Sequence, residues 1–310
     1  MAVIPRTASA EDLLRTLYAM AFIVEARDPY TGGHLWRVSQ YAAKLALAAG
    51  FSRKDAATVA LGGFLHDLGK VGVPDAILNK PASLTDLEYG VIKTHPDVGV
   101  RVLIGHPLAP LIDTAVGGHH ERMDGRGYPN GSAGASIPAE ARIVAIADAF
   151  DAMTSSRPYR RGMPVEAALE QILRGLGSQF DPTFGARFIA LGRAGELDGI
   201  IGHSEAGIPM YVCPLCGPVV ALPHNRKTGE TICCRICGDR LRLEQDDGGL
   251  RLELTGEKST PAELEPDIDH DLIGHLIEEA VPDLPLGREM EDTGWRARIG
   301  RWLNQLIDHR

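Results

Sequence analysis

In GFLHDLGKVGVP, residues 63–74, an adjacent His66 and Asp67, with Lys70 three residues on, interrupt an apolar run. Burying ionisable groups costs several kcal/mol unless they are paired or bound to a metal. Candidate partners are His34, His95, the pair His119 and His120, and Asp148, a carboxylate in the middle of the apolar stretch ARIVAIADAFDAM. Five imidazoles and two carboxylates exceed what one ion takes, but they suit two ions sharing a bridging carboxylate and a bridging hydroxide. Mixed imidazole and carboxylate ligation favours iron or manganese, with zinc, nickel and magnesium as alternatives. Such an ion pair lowers the pKa of the water between the ions and clamps both oxygens of an in-line displacement at phosphorus, so the chemistry indicated is phosphoester hydrolysis.

Any one of these histidines alone is an ordinary surface or core residue. A centre exists only if separate elements bring them to one point. From residue 9 to about 192 the apolar spacing is helical throughout. In SAEDLLRTLYAMAFIVEARD, Ser9 is placed to cap a helix with acids in its first turn, and Leu13, Leu14, Leu17, Met20, Ala21 and Val24 form a stripe. HLWRVSQYAAKLALAAG repeats the period and stops at Gly50. Further helices are predicted over 52–68, 83–94, 96–104, 110–119, 138–155, 164–176 and 182–191.

The texture changes after residue 195. All five cysteines lie between 213 and 237, and CPLCG and CRICG form two knuckles, with Cys216 and Cys234 separated by 17 residues. That spacing matches a structural zinc ribbon in which Cys213, Cys216, Cys234 and Cys237 hold one tetrahedral ion and Cys233 is spare. Short strands are expected around the knuckles, so residues 205–255 read as a small β module. Residues 256–294 carry twelve acidic residues against Lys258 and Arg288 and are Pro-rich, which reads as a linker, with a short helix conceivable in LIGHLIEEA. WRARIGRWLNQLIDHR, at 295–310, places Trp295, Ile299, Trp302, Leu303 and Leu306 on one face of a terminal amphipathic helix.

The net charge of −9 is therefore concentrated in one stretch and leaves the remainder near neutral, so nothing global opposes a phosphate substrate. No basic run marks a dedicated nucleic-acid surface. No apolar run approaches the roughly 20 residues of a membrane span, and the first residues lack a secretory signal, which makes the cytoplasm the expected location.

The motifs together resemble the HD superfamily of metal-dependent phosphohydrolases, and specifically its HD-GYP subfamily. The blocks are RDPYTGGHLWRV (27–38), FLHDLGKVGVPDAILNKPASLT (64–85), KTHPDVGVRVL (93–103), HHERMDGRGYPNG (119–131), IPAEARIVAIADAFDAMTSSRPYR (137–160) and FDP (180–182). The resemblance implies a mainly α HD bundle over 1–195 that hydrolyses the bacterial second messenger cyclic di-GMP to pGpG, GMP or both. It assigns His34, His66, Asp67, His95, His119, His120 and Asp148 as ligands, with Asp67 as the bridge. Lys70 would contact the scissile phosphate, Gly127, Tyr128 and Pro129 would shape the substrate-side wall, and Arg157 and Arg160 would be substrate-contacting cations. Three-metal members carry a Glu four residues ahead of the first His; here that position is Tyr30, so two catalytic ions are expected beside one structural zinc. Glu121 and Asp124 are candidate hydrogen-bond partners of the ligating imidazoles.

Two other readings stay open: a catalytically weak cyclic-dinucleotide receptor or adaptor, and an HD hydrolase of another phosphoester. The ribbon and the terminal helix are candidate surfaces for a protein partner or a homodimer. No sensor or receiver segment is recognisable ahead of the first motif, so regulation is expected through the ribbon, the tail or metal supply.

Overall fold

A computed structural model describes residues 9–27, 32–80, 82–156, 161–222, 226–246, 249–265 and 270–286. The expected mainly α architecture with a small C-terminal β module is what forms. Helix α1 (Ala10–Glu25) starts with the capping box foreseen at Ser9, whose hydroxyl accepts from Asp12 N while its own N–H donates to the Asp12 carboxylate. Next come α2 (His34–Ala48), α3 (Arg53–Leu65), a 3-10 turn over Leu68–Gly72, α4 (Asp75–Leu78), α5 (Asp86–Ile92), α6 (His95–Val102) and α7 (Ala109–Gly118). Then follow α8 (Ala139–Thr154), α9 (Val165–Gly175) and α10 (Pro182–Arg193), the last capped by Asp181 accepting from Thr183 N and Phe184 N.

Helix α3 runs through the middle of the bundle. It is apolar on several faces because α2, α7 and α8 all pack on it. Leu14 and Leu17 of α1, Tyr41 and Leu45 of α2, Phe64 and Leu65 of α3, Phe150 of α8 and Phe188 of α10 are fully buried. Tyr41, Phe150 and Phe188 meet edge to face, with Tyr41 and Phe188 each about 5 Å from Phe150. Burying these side chains is the main stabilising term, at about 1.5–3 kcal/mol for each large apolar group.

The exit of α3 matters most for position. His66 is its C-cap, and Asp67 leads into the 3-10 turn, which lies against α6. Contact there is backbone on backbone: a Cβ on Gly69 would sit 1.8 Å from the carbonyl oxygen of His95 and 2.4 Å from Gly99 N. Only glycine lets the turn carrying Asp67 approach the helix that opens with His95.

Beyond α10, Leu197 and Ile200 are still buried in the bundle core. A hairpin of β1 (His203–Glu205) and β2 (Ile208–Pro209) lies against α2, and β3 (Tyr211–Cys213) pairs with β4 (Gly217–Val220). Strands β5 (Thr231–Cys233), β6 (Asp239–Asp246) and β7 (Gly249–Lys258) form an antiparallel sheet in that order. Val220, Leu222, Leu241, Leu243 and Leu252 pack with Cys213 and Cys234 as a second, smaller core.

The acidic stretch from 256 is more structured than a linker. Its first residues complete β7, and LIGHLIEEA lies within α11 (His270–Ala280), which packs on α1. Ile273, Leu276 and Ile277, spaced for one helical face, join the bundle core. The predicted terminal helix at 295–310 lies outside the described residues.

Substituting Gly69→Ala should destabilise the metal-free protein by roughly 1–3 kcal/mol or more, since backbone must move to admit the methyl group. Urea unfolding followed by circular dichroism checks this; wild-type stability in the variant would mean that the turn and α6 separate without cost.

Candidate metal centre

The ligand candidates come from five elements that meet beside the end of α3. His34 is the first residue of α2, His66 and Asp67 follow α3, His95 opens α6, His119 and His120 follow α7, and Asp148 lies within α8. Asp67 stands between two sets of donors. Its Oδ2 lies 3.7 Å from His34 Nε2 and 3.4 Å from His66 Nε2, while its Oδ1 lies 3.5 Å from His95 Nε2. Asp148 Oδ1 is 3.6 Å from His34 Nε2 and 3.8 Å from His66 Nε2. Donor atoms of His34, His66 and Asp148 fall within 4.8 Å of one another, as do those of His95, His119 and His120. Asp67 also groups with His66 and His119, linking the two trios.

These imidazoles are held by their far nitrogens. Nδ1 of His66, His95 and His119 lies 2.7, 2.8 and 2.9 Å from the carbonyl oxygens of Gly63, Ile92 and Val116, each three residues earlier. A carbonyl can only accept, so Nδ1 carries the proton and Nε2 presents a lone pair inward. His34 is different: its Nδ1 is 2.8 Å from Asp151 Oδ2. Asp151 in turn receives Arg37, with Nε 2.6 Å from Oδ1 and Nη2 3.0 Å from Oδ2. Sequence reasoning missed both residues; a charge inside each apolar helix face, in HLWRV and AFDAM, was the available signal.

The partners foreseen for the imidazoles do other work. Asp124 is paired with Arg122 at 2.8 Å, and Glu121 Oε1 accepts from Asn130 N at 2.7 Å. Glu121 thereby ties down the 121–131 loop. In that loop a Cβ on Gly127 would lie 2.5 Å from both Arg122 N and the His120 carbonyl, and Tyr128 N donates to the same carbonyl. The Tyr128 ring lies 4.7 Å from the His120 ring, so the loop packs onto a candidate ligand. Pro129 follows Tyr128 in the same loop. Lys70 reaches Asp67 Oδ2 at 2.6 Å and lines a small pocket with Glu25, His34 and Asp67. Glu25 Oε1 accepts from Leu35 N near the start of α2, and Glu25 belongs to none of the donor groups. Arg157, Arg160 and Tyr30 lie outside the described residues.

Charge is distributed unevenly across the centre. Burial disfavours an ionised Asp67, but the Lys70 ammonium, with the hydrogen bond from His34, overcomes it and holds its carboxyl well below the ordinary range. Burial likewise opposes an imidazolium at His34, yet Asp151 and Asp67 outweigh it and push His34 up to about 10. His119 and His95 are lowered by burial, and His120 falls to about 3 through burial and then the neighbouring His95. One trio therefore offers neutral imidazoles, while His34 would exchange a proton for a cation. Among the described residues His66 Nε2 is buried without a hydrogen-bond partner, which a coordinated cation would correct. The donor chemistry thus fits divalent metal.

In the β module Cys213, Cys216, Cys234 and Cys237 bring their sulfurs within 4.8 Å of one another, and Cys233 stands outside the group on β5.

The HD domain family model matches residues 19–184, and the chain belongs to that family. The family implies divalent-metal binding, for which the imidazole and carboxylate groups are suited. The cyclic di-GMP phosphodiesterase response regulator RpfG of Xanthomonas campestris is 41% identical over 172 residues, which cover 54% of this chain and 45% of that protein. The 3'3'-cGAMP-specific phosphodiesterase 3 of Vibrio cholerae is 39% identical, over 53% of this chain and 36% of that one. The chain thus spans less than half the length of these relatives. Among solved structures, a cyclic GMP-AMP phosphodiesterase of V. cholerae aligns with a TM-score of 0.46 and 16% identity, over 68% of this chain and 56% of that one. Among the described residues no helix is long and apolar enough to cross a membrane.

Metal-free protein should be most stable near pH 6.5, the ordinary imidazole value. The raised His34 contributes stability that is whole below 6.5 and lost as pH climbs through about 10; the lowered His119 and His120 contribute stability that is whole above 6.5 and lost as pH falls. Thermal melts across pH check this, and His34→Gln should flatten the alkaline limb alone. An alkaline limb unchanged in that variant would contradict the assignment.

Proposed function

We propose that this chain is a metal-dependent phosphodiesterase of HD-GYP type that hydrolyses cyclic di-GMP to pGpG, GMP or both. The observation that carries the reading is Asp67, a single buried carboxylate with one oxygen toward His34 and His66 and the other toward His95. In this reading His34, His66 and Asp148 hold one ion, His95, His119 and His120 hold a second, and Asp67 is shared. Two divalent ions, iron or manganese, would supply Lewis acidity and an activated water when bound.

The chain's own residues do the rest. Lys70 keeps an ammonium at the mouth of the centre, half-buried beside Asp67, where it would meet the scissile phosphate and stabilise developing negative charge. Tyr128 and the 121–131 loop fix the orientation of His120 and would form a wall against the substrate. Arg157 and Arg160 are proposed as further phosphate contacts. The four clustered cysteines would hold a structural zinc. A bacterial second messenger as substrate places the proposed activity in the cytoplasm. The relatives specific for 3'3'-cGAMP make that dinucleotide the natural comparison substrate.

The test is hydrolysis of cyclic di-GMP and of 3'3'-cGAMP by protein loaded anaerobically with iron or manganese, with metal counted on the same samples. Wild type should cleave cyclic di-GMP, Asp67→Ala should bind less metal and lose turnover, and Lys70→Ala should keep its metal but lose about 100-fold in kcat. Tight dinucleotide binding without turnover at full metal occupancy would favour the receptor reading, and preference for 3'3'-cGAMP would revise the substrate.

A further inference from the structure

Arg37 is buried, at 3% exposure, and its five N–H groups find five acceptors. Nε goes to Asp151 Oδ1, and Nη2 to Asp151 Oδ2 and Ser155 Oγ. Nη1 goes to the carbonyls of Gly32 at 3.0 Å and His203 at 2.8 Å. Four of these acceptors belong to the helical bundle. The fifth, His203, opens β1, beyond the residues 19–184 that the HD domain model matches.

The hairpin that supplies it is seated closely. A Cβ on Gly33, the residue before His34, would lie 2.5 Å from Ser204 Cα, and one on Gly32 would touch the end of Met210. Ser204, Glu205 and Ile208 are buried beneath it. Met210 N closes the hairpin on Gly202 O at 2.7 Å, and β3 then runs directly to Cys213 of the sulfur cluster.

From this geometry we infer that the β1–β2 hairpin, anchored in the cysteine module, positions the metal ligand His34 through Arg37 and Asp151. The inference rests on the metal-centre reading above. His34 and Asp151 share a hydrogen bond at 2.8 Å, and Asp151 is held on both oxygens by Arg37, so the imidazole's orientation depends on where the guanidinium is fixed. Without the His203 carbonyl, a buried N–H of Arg37 loses its partner and the arginine has reason to shift. The effect falls on the ion held by His34, His66 and Asp148. Among the described residues, His95, His119 and His120 take no hydrogen bond from Arg37, Asp151 or the hairpin.

The test uses full-length protein carrying manganese in the catalytic centre and zinc in the cysteine cluster, challenged with a chelator while retained ions are counted. Arg37→Gln breaks the connection from inside. Gly207→Val strains the hairpin from outside, because Gly207 has φ +73° and nothing stands within 4 Å of its added Cβ. Both variants should release one of the two manganese ions more readily, by up to about the 10- to 100-fold that losing a ligand's hydrogen-bond partner costs, since both loosen the Asp151 that holds His34, and keep the other manganese and the zinc as in wild type. Wild-type retention of both ions in both variants would overturn the inference, as would loss of both ions together. Wild type that takes up zinc but no manganese would instead overturn the metal-centre reading, and the inference with it.

Discussion

A carboxylate is expensive to bury, and Asp67 is buried with its charge kept. Its surroundings explain how. Lys70 lies 2.6 Å from Oδ2, and His34, whose imidazole is pushed toward its charged form, has Nε2 3.7 Å from the same oxygen. Much of the bundle serves that arrangement. Helix α3 delivers His66 and Asp67 at its end, the glycine at 69 lets α6 bring His95 against them, and the starts of α2 and the end of α7 contribute the remaining imidazoles. Helix termini are suited to this, since a side chain there can face the centre while its helix packs outward on the core.

The imidazoles are pre-set by backbone as much as by side chains. Three of them donate to carbonyls three residues back, so the local helical turn itself determines the ring orientation. His34 begins α2 and meets the Asp151 carboxylate rather than a carbonyl at its Nδ1. Its orientation comes instead from Asp151 and Arg37, and through them from the C-terminal hairpin. That difference makes the first trio more dependent on remote parts of the chain than the second.

Much of this was legible in the residues alone. Amphipathic spacing located the helices, Ser9 marked the start of the first, and paired CxxC knuckles located the sulfur cluster. His66, Asp67 and Asp148 were readable because they stand inside apolar runs, whereas the assignment of His34, His95, His119 and His120 as ligand candidates came from the resemblance of the motifs. Asp151 and Arg37 carried the same signal but were overlooked: each is adjacent to stronger motif residues, and their pairing spans more than a hundred positions. In the acidic stretch after 256 the short helix in LIGHLIEEA was foreseen, but its place in the bundle core was not, for a compositional reason. Its many carboxylates outweigh three apolar residues, Ile273, Leu276 and Ile277, whose helical spacing is enough to join the core. Glu121 and Asp124 were read as partners of histidines because they are near in sequence, whereas the helical carbonyls are nearer in space.

The central structural question is whether Asp67 is shared between two ions. X-ray absorption on manganese- or iron-loaded protein measures this directly through the metal–metal scattering distance. A shared Asp67 gives a vector of about 3.5–4 Å in wild type, absent in Asp67→Ala. A wild-type spectrum showing isolated ions, at full occupancy and with no such vector, would contradict it.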